Sequence, residues 1–189
     1  MVDHFTVRFN SIISLSLIFI TSLLVTPILG SDSDQRIRQA MEHYSAAQYQ
    51  WQTSLAELVS TQNQSFADLA EIQRDLQLQM ISLRNERFHY LLQNDPKRLI
   101  LDKGISKLTN FGWTDEDNKA LLMQLPSYAK LERSVAELER VNNAQSKWPE
   151  FRNYFRQKLS NTPEYKELLK ELLDAQKVAE EILNKSQQE

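Results

Sequence analysis

No cysteine occurs in the 189 residues, and histidine and glycine occur three times each. Each shortage removes a class of chemistry. Without thiols there is no disulfide framework, no cysteine nucleophile and no sulfur-liganded zinc, so the fold has to be held by its own core. After residue 30 only Gly104 and Gly112 remain. That leaves little material for tight hairpins or for phosphate-cradling loops, which need positive φ and close backbone approach. There is no Gly-x-Ser-x-Gly elbow, no Walker loop, no dinucleotide fingerprint and no His-Glu-x-x-His helix. The formal net charge is −3, from 22 basic and 25 acidic residues. A chain with that balance lacks the basic footprint that nucleic acid requires, so no nucleic-acid partner is expected.

What is present begins with an uncharged run from Ile12 to Leu29, preceded by Arg8 and followed by Asp32 and Asp34. A secretory signal has a basic start, an apolar stretch of roughly 7–15 residues and a small residue at the cut. A spanning helix needs about 20 apolar residues. The run lies between these, diluted by Ser14, Ser16, Thr21, Ser22 and Thr26 and interrupted by Pro27 and Gly30. Positive charge before it and negative charge after it place the remainder on the non-cytoplasmic side. Residues 1–30 are therefore expected to be a signal peptide cut after Gly30, or else an N-terminal membrane anchor. The chain is expected to be exported to the periplasm or the extracellular space, with membrane contact only if the segment is retained. Residues 31–189 are enough for a single domain.

Periodicity in that domain is helical. From Asp34 to Asn94 there is no Gly or Pro. Apolar residues recur there at steps of three, four and seven, among them Ile37, Met41, Tyr44, Trp51, Leu55, Leu58, Phe66, Leu69, Leu76 and Leu83. The stretch Val59–Ser65 has poor helix formers, yet Leu55, Leu58 and Phe66 keep one face in phase across it. One continuous helix over 34–94 is thus expected, about 90 Å long; a break near Gln62 would give a compact bundle instead. Gln48, Gln62, Gln79 and Glu86 interrupt its oily seam, and the segment holds eleven glutamines and no lysine. Polar residues in a seam set register, or mark a face its own chain covers incompletely.

Asp95-Pro96 ends the segment and opens an irregular connector over 95–114, in which Asp95 is expected to cap a short helix ending at Gly104. Further helices are expected at 115–125, 128–146, 149–160 and 163–186. Thr114 ahead of Asp115-Glu116-Asp117 reads as an N-cap with acids in the first turn, and Thr162-Pro163 as cap plus proline. No segment alternates with period two for long enough to be a strand. The expected fold is all-α: a long N-terminal helix packed by several shorter C-terminal ones, as an elongated, coiled-coil-like helical hairpin or a bundle.

Chemistry-bearing clusters are sparse. Glu86-x-x-His89 has the spacing by which helical bundles hold two metal ions, but the counterpart at His43 has Ala40 in place of the glutamate. His89 is therefore expected to be a solvated or capping residue. Asp115-Glu116-Asp117 resembles half a calcium loop, with Lys119 where an oxygen ligand belongs. Asn63-Gln64-Ser65 and Asn184-Lys185-Ser186 match the glycan-acceptor pattern. No catalytic residue, metal or cofactor is implied, and the chain is not expected to be an enzyme. An envelope hydrolase would need two carboxylates converging in a pocket, and nothing in the sequence selects a pair.

The most distinctive stretch is SKWPEFRNYFRQK, residues 146–158. Trp148, Phe151, Tyr154 and Phe155 share a helical face, flanked by Lys147, Arg152, Arg156 and Lys158, with only Glu150 opposing. Such a stripe serves either as the docking face of a short helix on its own core, or as a contact for an acidic-aromatic partner segment or a membrane surface. Phe111, Trp113 and Tyr128 are expected to join the same cluster. The expected partner surface is Trp148, Phe151, Arg152, Tyr154, Phe155 and Arg156. The function expected from the long, imperfect seam and the lack of an assembled site is binding of another polypeptide, in a chaperone-like or scaffold role, or self-association through the glutamine-rich helix. A membrane-tethered coiled-coil spacer is the alternative.

Overall fold

The computed structural model describes residues 32–101, 104–106 and 111–186. The run Ile12–Leu29 and the expected cleavage point after Gly30 lie outside the described residues. Among the described residues there are six α-helices and no strand: α1 (Asp32–Gln62), α2 (Ala67–Asn94), α3 (Asp115–Gln124), α4 (Pro126–Asn143), α5 (Trp148–Gln157) and α6 (Pro163–Ser186). The fold is all-α, as expected.

The continuous helix over 34–94 is corrected: the segment folds back on itself. Asn63 adopts an extended conformation (φ −154°, ψ 93°), and a short 3₁₀ turn over Gln64–Phe66 leads into α2. The Asn63 side-chain oxygen accepts from the Ser65 amide at 3.1 Å and from the Ser65 hydroxyl at 2.7 Å. Asn and Ser offer the backbone these local bonds in place of the helical ladder, which is why such residues end helices. The phase of the stripe survives because both arms bury their apolar sides together at the tip, where Ala56, Val59, Phe66, Leu69 and Ala70 form one cluster. Periodicity reports which side is covered; it is silent on what covers it.

Polar seam residues tie the two arms. Ser45 donates to the Asn85 side chain at 2.8 Å, Arg84 Nη2 donates to Gln48 Oε1 at 2.6 Å, and the Tyr49 and Ser82 hydroxyls bond each other. Gln48 thus answers a donor on the facing helix.

The remaining helices lie along the hairpin. α6 runs antiparallel to α1: Ala179 and Leu183 are buried against Ile37, Ala40, Met41 and Tyr44, and the Trp51 and Tyr165 rings meet at 5.6 Å. α4 runs antiparallel to α2, from Tyr128 beside Arg87 to Lys147, just beyond the helix, whose ammonium donates to the Ser65 carbonyl at the hairpin tip. The packing order is α4–α2–α1–α6, with α5 crossing the tip and α3 leaning on α4. Leu99 and Ile105 of the connector close the open end of the hairpin.

Local signals set the other boundaries. Thr114 caps α3 in a reciprocal box with Asp117, each accepting the other's backbone N–H, and the acid cluster is a helix start. Pro126 opens α4. The Thr162 hydroxyl oxygen accepts from the Tyr165 amide at 3.2 Å to start α6. The expected helix 149–160 is shorter, ending at Gln157 before a 3₁₀ turn over Leu159–Asn161. Asp95 makes no side-chain cap, and the turn after it spans only Pro96–Arg98. Gly104 has φ +82°, the left-handed region, with the Glu180 carboxylate where a Cβ would stand.

Candidate functional site: an aromatic-basic helix and a slot in the bundle

All six residues of the expected partner surface fall on or beside the hairpin tip, on α5. The aromatic face docks on the chain's own core. Phe151 and Tyr154 meet the buried Phe66 ring at 5.4 and 5.3 Å, Phe155 meets Tyr165 at 5.2 Å, and Trp148 donates through Nε1 to the Asn142 carbonyl at 2.8 Å. Burial pushes the Tyr154 phenol upward from its ordinary pKa. None of these rings is fully buried. Phe151 and Phe155 keep an outer edge that, with Arg152, Arg156 and Ser160, lines a shallow open cavity of about 470 Å³. Arg152 and Arg156 are exposed. Neither makes an ion pair among the described residues.

Phe111, Trp113 and Tyr128 do not join that cluster. They gather at the opposite end of α2, with Tyr90–Trp113 at 5.6 Å and Trp113–Tyr128 at 6.5 Å. From Phe66 to Tyr90 is about 36 Å of helix, so the two aromatic groups cannot touch. The Arg87 guanidinium lies 5.2 Å from the Trp113 ring and donates to the Tyr128 hydroxyl at 2.8 Å, with Glu132 at 3.4 Å. Tyr128 donates to Asn118 Oδ1 at 2.7 Å; it is fully buried, and that burial raises its pKa.

Between α4 and α6, which flank the hairpin without packing closely on each other, lies a slot of about 580 Å³ that the sequence did not reveal. Its floor is α1 and α2, with Gln48, Trp51, Met80 and Arg84; Phe111 and Trp113 line one end. Arg84 stands out there. Its Nη2 donates to Gln48, its Nε has neither a partner nor access to water, and burial lowers its pKa. A sequence signal existed: Arg84 sits three residues after buried Ile81 and four before buried Phe88, so a cation interrupts the core-facing stripe.

His89 is corrected from a solvated residue to a half-buried one. Its Nδ1 has no partner, its ring packs edge-on against Phe88, and burial together with the Arg38 charge lowers its pKa, while Glu42 opposes. Among the described residues no three His, Asp or Glu side chains come together as metal ligands. No helix among them is long and apolar enough to cross a membrane. The chain matches no protein-family model, no curated protein and no solved structure.

Proposed function

We propose that this is an exported, non-enzymatic helical protein that binds another polypeptide through the outer face of α5. The observation that carries the proposal is the pairing of Arg152 and Arg156, four residues apart and without carboxylate partners among the described residues, with the open edges of Phe151 and Phe155. Exposed arginine beside aromatic rings is the composition of interface hot spots. Two unmatched cations over an apolar floor call for an acidic segment carrying an aromatic or aliphatic anchor. Helix α5 is held from behind by Phe66 and Tyr165, so the surface is presented on a fixed element.

The test is titration with a synthetic acidic-aromatic peptide and its Asn/Gln counterpart, followed by calorimetry. The acidic peptide is expected to bind more tightly, and Arg152→Glu/Arg156→Glu to reverse the preference toward a basic peptide. Binding indifferent to that reversal, or no binding, overturns the proposal. A dimer seen by light scattering and dissolved by the same double substitution makes the occupant a second copy. Export is tested separately by sequencing the N-terminus of the mature protein. A start near Ser31 supports a cleaved signal, whereas an intact N-terminus supports the tethered spacer.

A further inference from the structure

The slot between α4 and α6 shares no lining residue with the α5 surface and carries an inference of its own. Its volume, about 580 Å³, lies within the roughly 300–1,000 Å³ typical of small-ligand pockets. Its lining combines nine apolar or aromatic side chains with seven polar or charged ones, so it offers both a surface for a ligand's body and groups to orient its head.

The charges in the slot decide what kind of head it takes. Arg87 is committed to Tyr128 and Glu132 and is stacked near Trp113. Glu139, on the α4 wall, is exposed to solvent and forms no ion pair among the described residues. Arg84 is the cation left over. Its Nη2 is held by Gln48 and its Nε is sealed from water, which leaves Nη1 as the donor without a protein partner among the described residues. A half-buried guanidinium that lines a cavity and has no ion pair among the described residues is an unmatched charge, and a carboxylate is the group that pairs it with directed bonds. Gln77, also in the lining, spends its amide on a weak 3.8 Å bond to the Met80 sulfur, which it can exchange for a carboxylate oxygen. One unmatched cation suits a monoanion better than a doubly charged phosphate.

We propose that this slot binds a small carboxylate-bearing amphiphile, with its head at Arg84 Nη1 and its apolar body along Trp51, Met80, Phe111 and Leu172. Gln48 restrains the guanidinium by holding Nη2, which leaves Nη1 for the ligand.

The probe is dodecanoate below its micellar concentration, compared with dodecanol and dodecyltrimethylammonium on the full chain, read by calorimetry and by fluorescence of Trp51 and Trp113 in the lining. Dodecanoate is expected to bind most tightly and the cationic analogue most weakly. Arg84→Met is expected to weaken dodecanoate by roughly tenfold or more, the worth of a charge-assisted hydrogen bond, and to leave dodecanol within about twofold. Ala136→Trp, which fills the slot from the α4 wall, is expected to abolish both and so separates the slot from any other apolar part of the chain. Should Arg84→Met fail to fold, Gln48→Glu gives Arg84 an internal counter-ion and is expected to weaken dodecanoate in the same direction. Equal binding of the anionic and cationic probes, binding that survives Ala136→Trp, or no binding overturns the proposal. So does an acidic peptide that occupies the slot where dodecanoate does not.

Discussion

Asp117 shows how much one side chain can hold. It caps α3 through Thr114 and takes the Arg98 guanidinium at 2.7 Å, while Arg98 also reaches the Gly112 carbonyl. One residue therefore fixes a helix start to the turn that follows α2. The Arg98 hydrogen bond, with smaller help from the Thr114 backbone and hydroxyl, holds the carboxyl down from 3.8 to about 2. The sign follows: a depressed carboxylate contributes stability that is complete above its unfolded pKa and is lost as pH falls through the folded one. Denaturant melts are thus expected to show roughly 1–2 kcal/mol draining away between pH 4 and pH 2 on this account, the figure reduced for solvent around the pair. Asp117→Asn is expected to flatten that part of the profile. An unchanged pH slope in the variant would show that the ion pair does not form.

At the scale of elements, the hairpin is the feature most exposed to test. Ser45 and Asn85 stand within a hydrogen bond of each other across α1 and α2. On a single straight helix they would be about 60 Å apart. Ser45→Cys with Asn85→Cys, in a chain with no other cysteine, is expected to form an intramolecular disulfide on oxidation. Closing a loop of about 40 residues is expected to add on the order of 4 kcal/mol by the chain-entropy account. Bridging only between chains would contradict the fold-back. The sequence made some elements plain and hid this one for a physical reason. Thr114 with Asp117 and Thr162 with Pro163 announce helix starts because caps are local, built from residues three apart. The fold-back at Asn63 is also local chemistry, but the apolar phase on either side of it is preserved, so the stronger signal argued for continuity. On α5 the ring stripe and its basic flanks were legible from spacing along the helix, whereas its docking on Phe66 and Tyr165 depends on distant elements.

Over the whole molecule, what escaped the sequence is what arises between distant elements. The slot exists because α4 sits on α2 and α6 on α1, and no local pattern states how far apart those two stand. Arg84 within an oily stripe was the trace it left, and a cation there becomes informative only once Gln48 is seen as its sole hydrogen-bond acceptor among the described residues. The division of the aromatic residues into two groups is of the same kind, decided by the length of α2 and the direction of α4.

The turn at Asn63 has a consequence for how two chains meet. Both arms follow one helical phase, so straightening residues 63–65 would yield a rod of about 95 Å whose apolar stripe remains on one side. Every partner α1 has within its own molecule would then be offered by a second molecule lying alongside, which is the circumstance in which chains trade arms. Asn63→Ala, Gln64→Ala and Ser65→Ala together replace the residues that bend the chain with the best helix former. The triple variant is expected to double in mass by light scattering while keeping its helical content, and a mass equal to the parent's would show that the bend is dictated by the packing of the arms. On this account three small polar residues decide whether the same surface closes upon itself or is shared between neighbours.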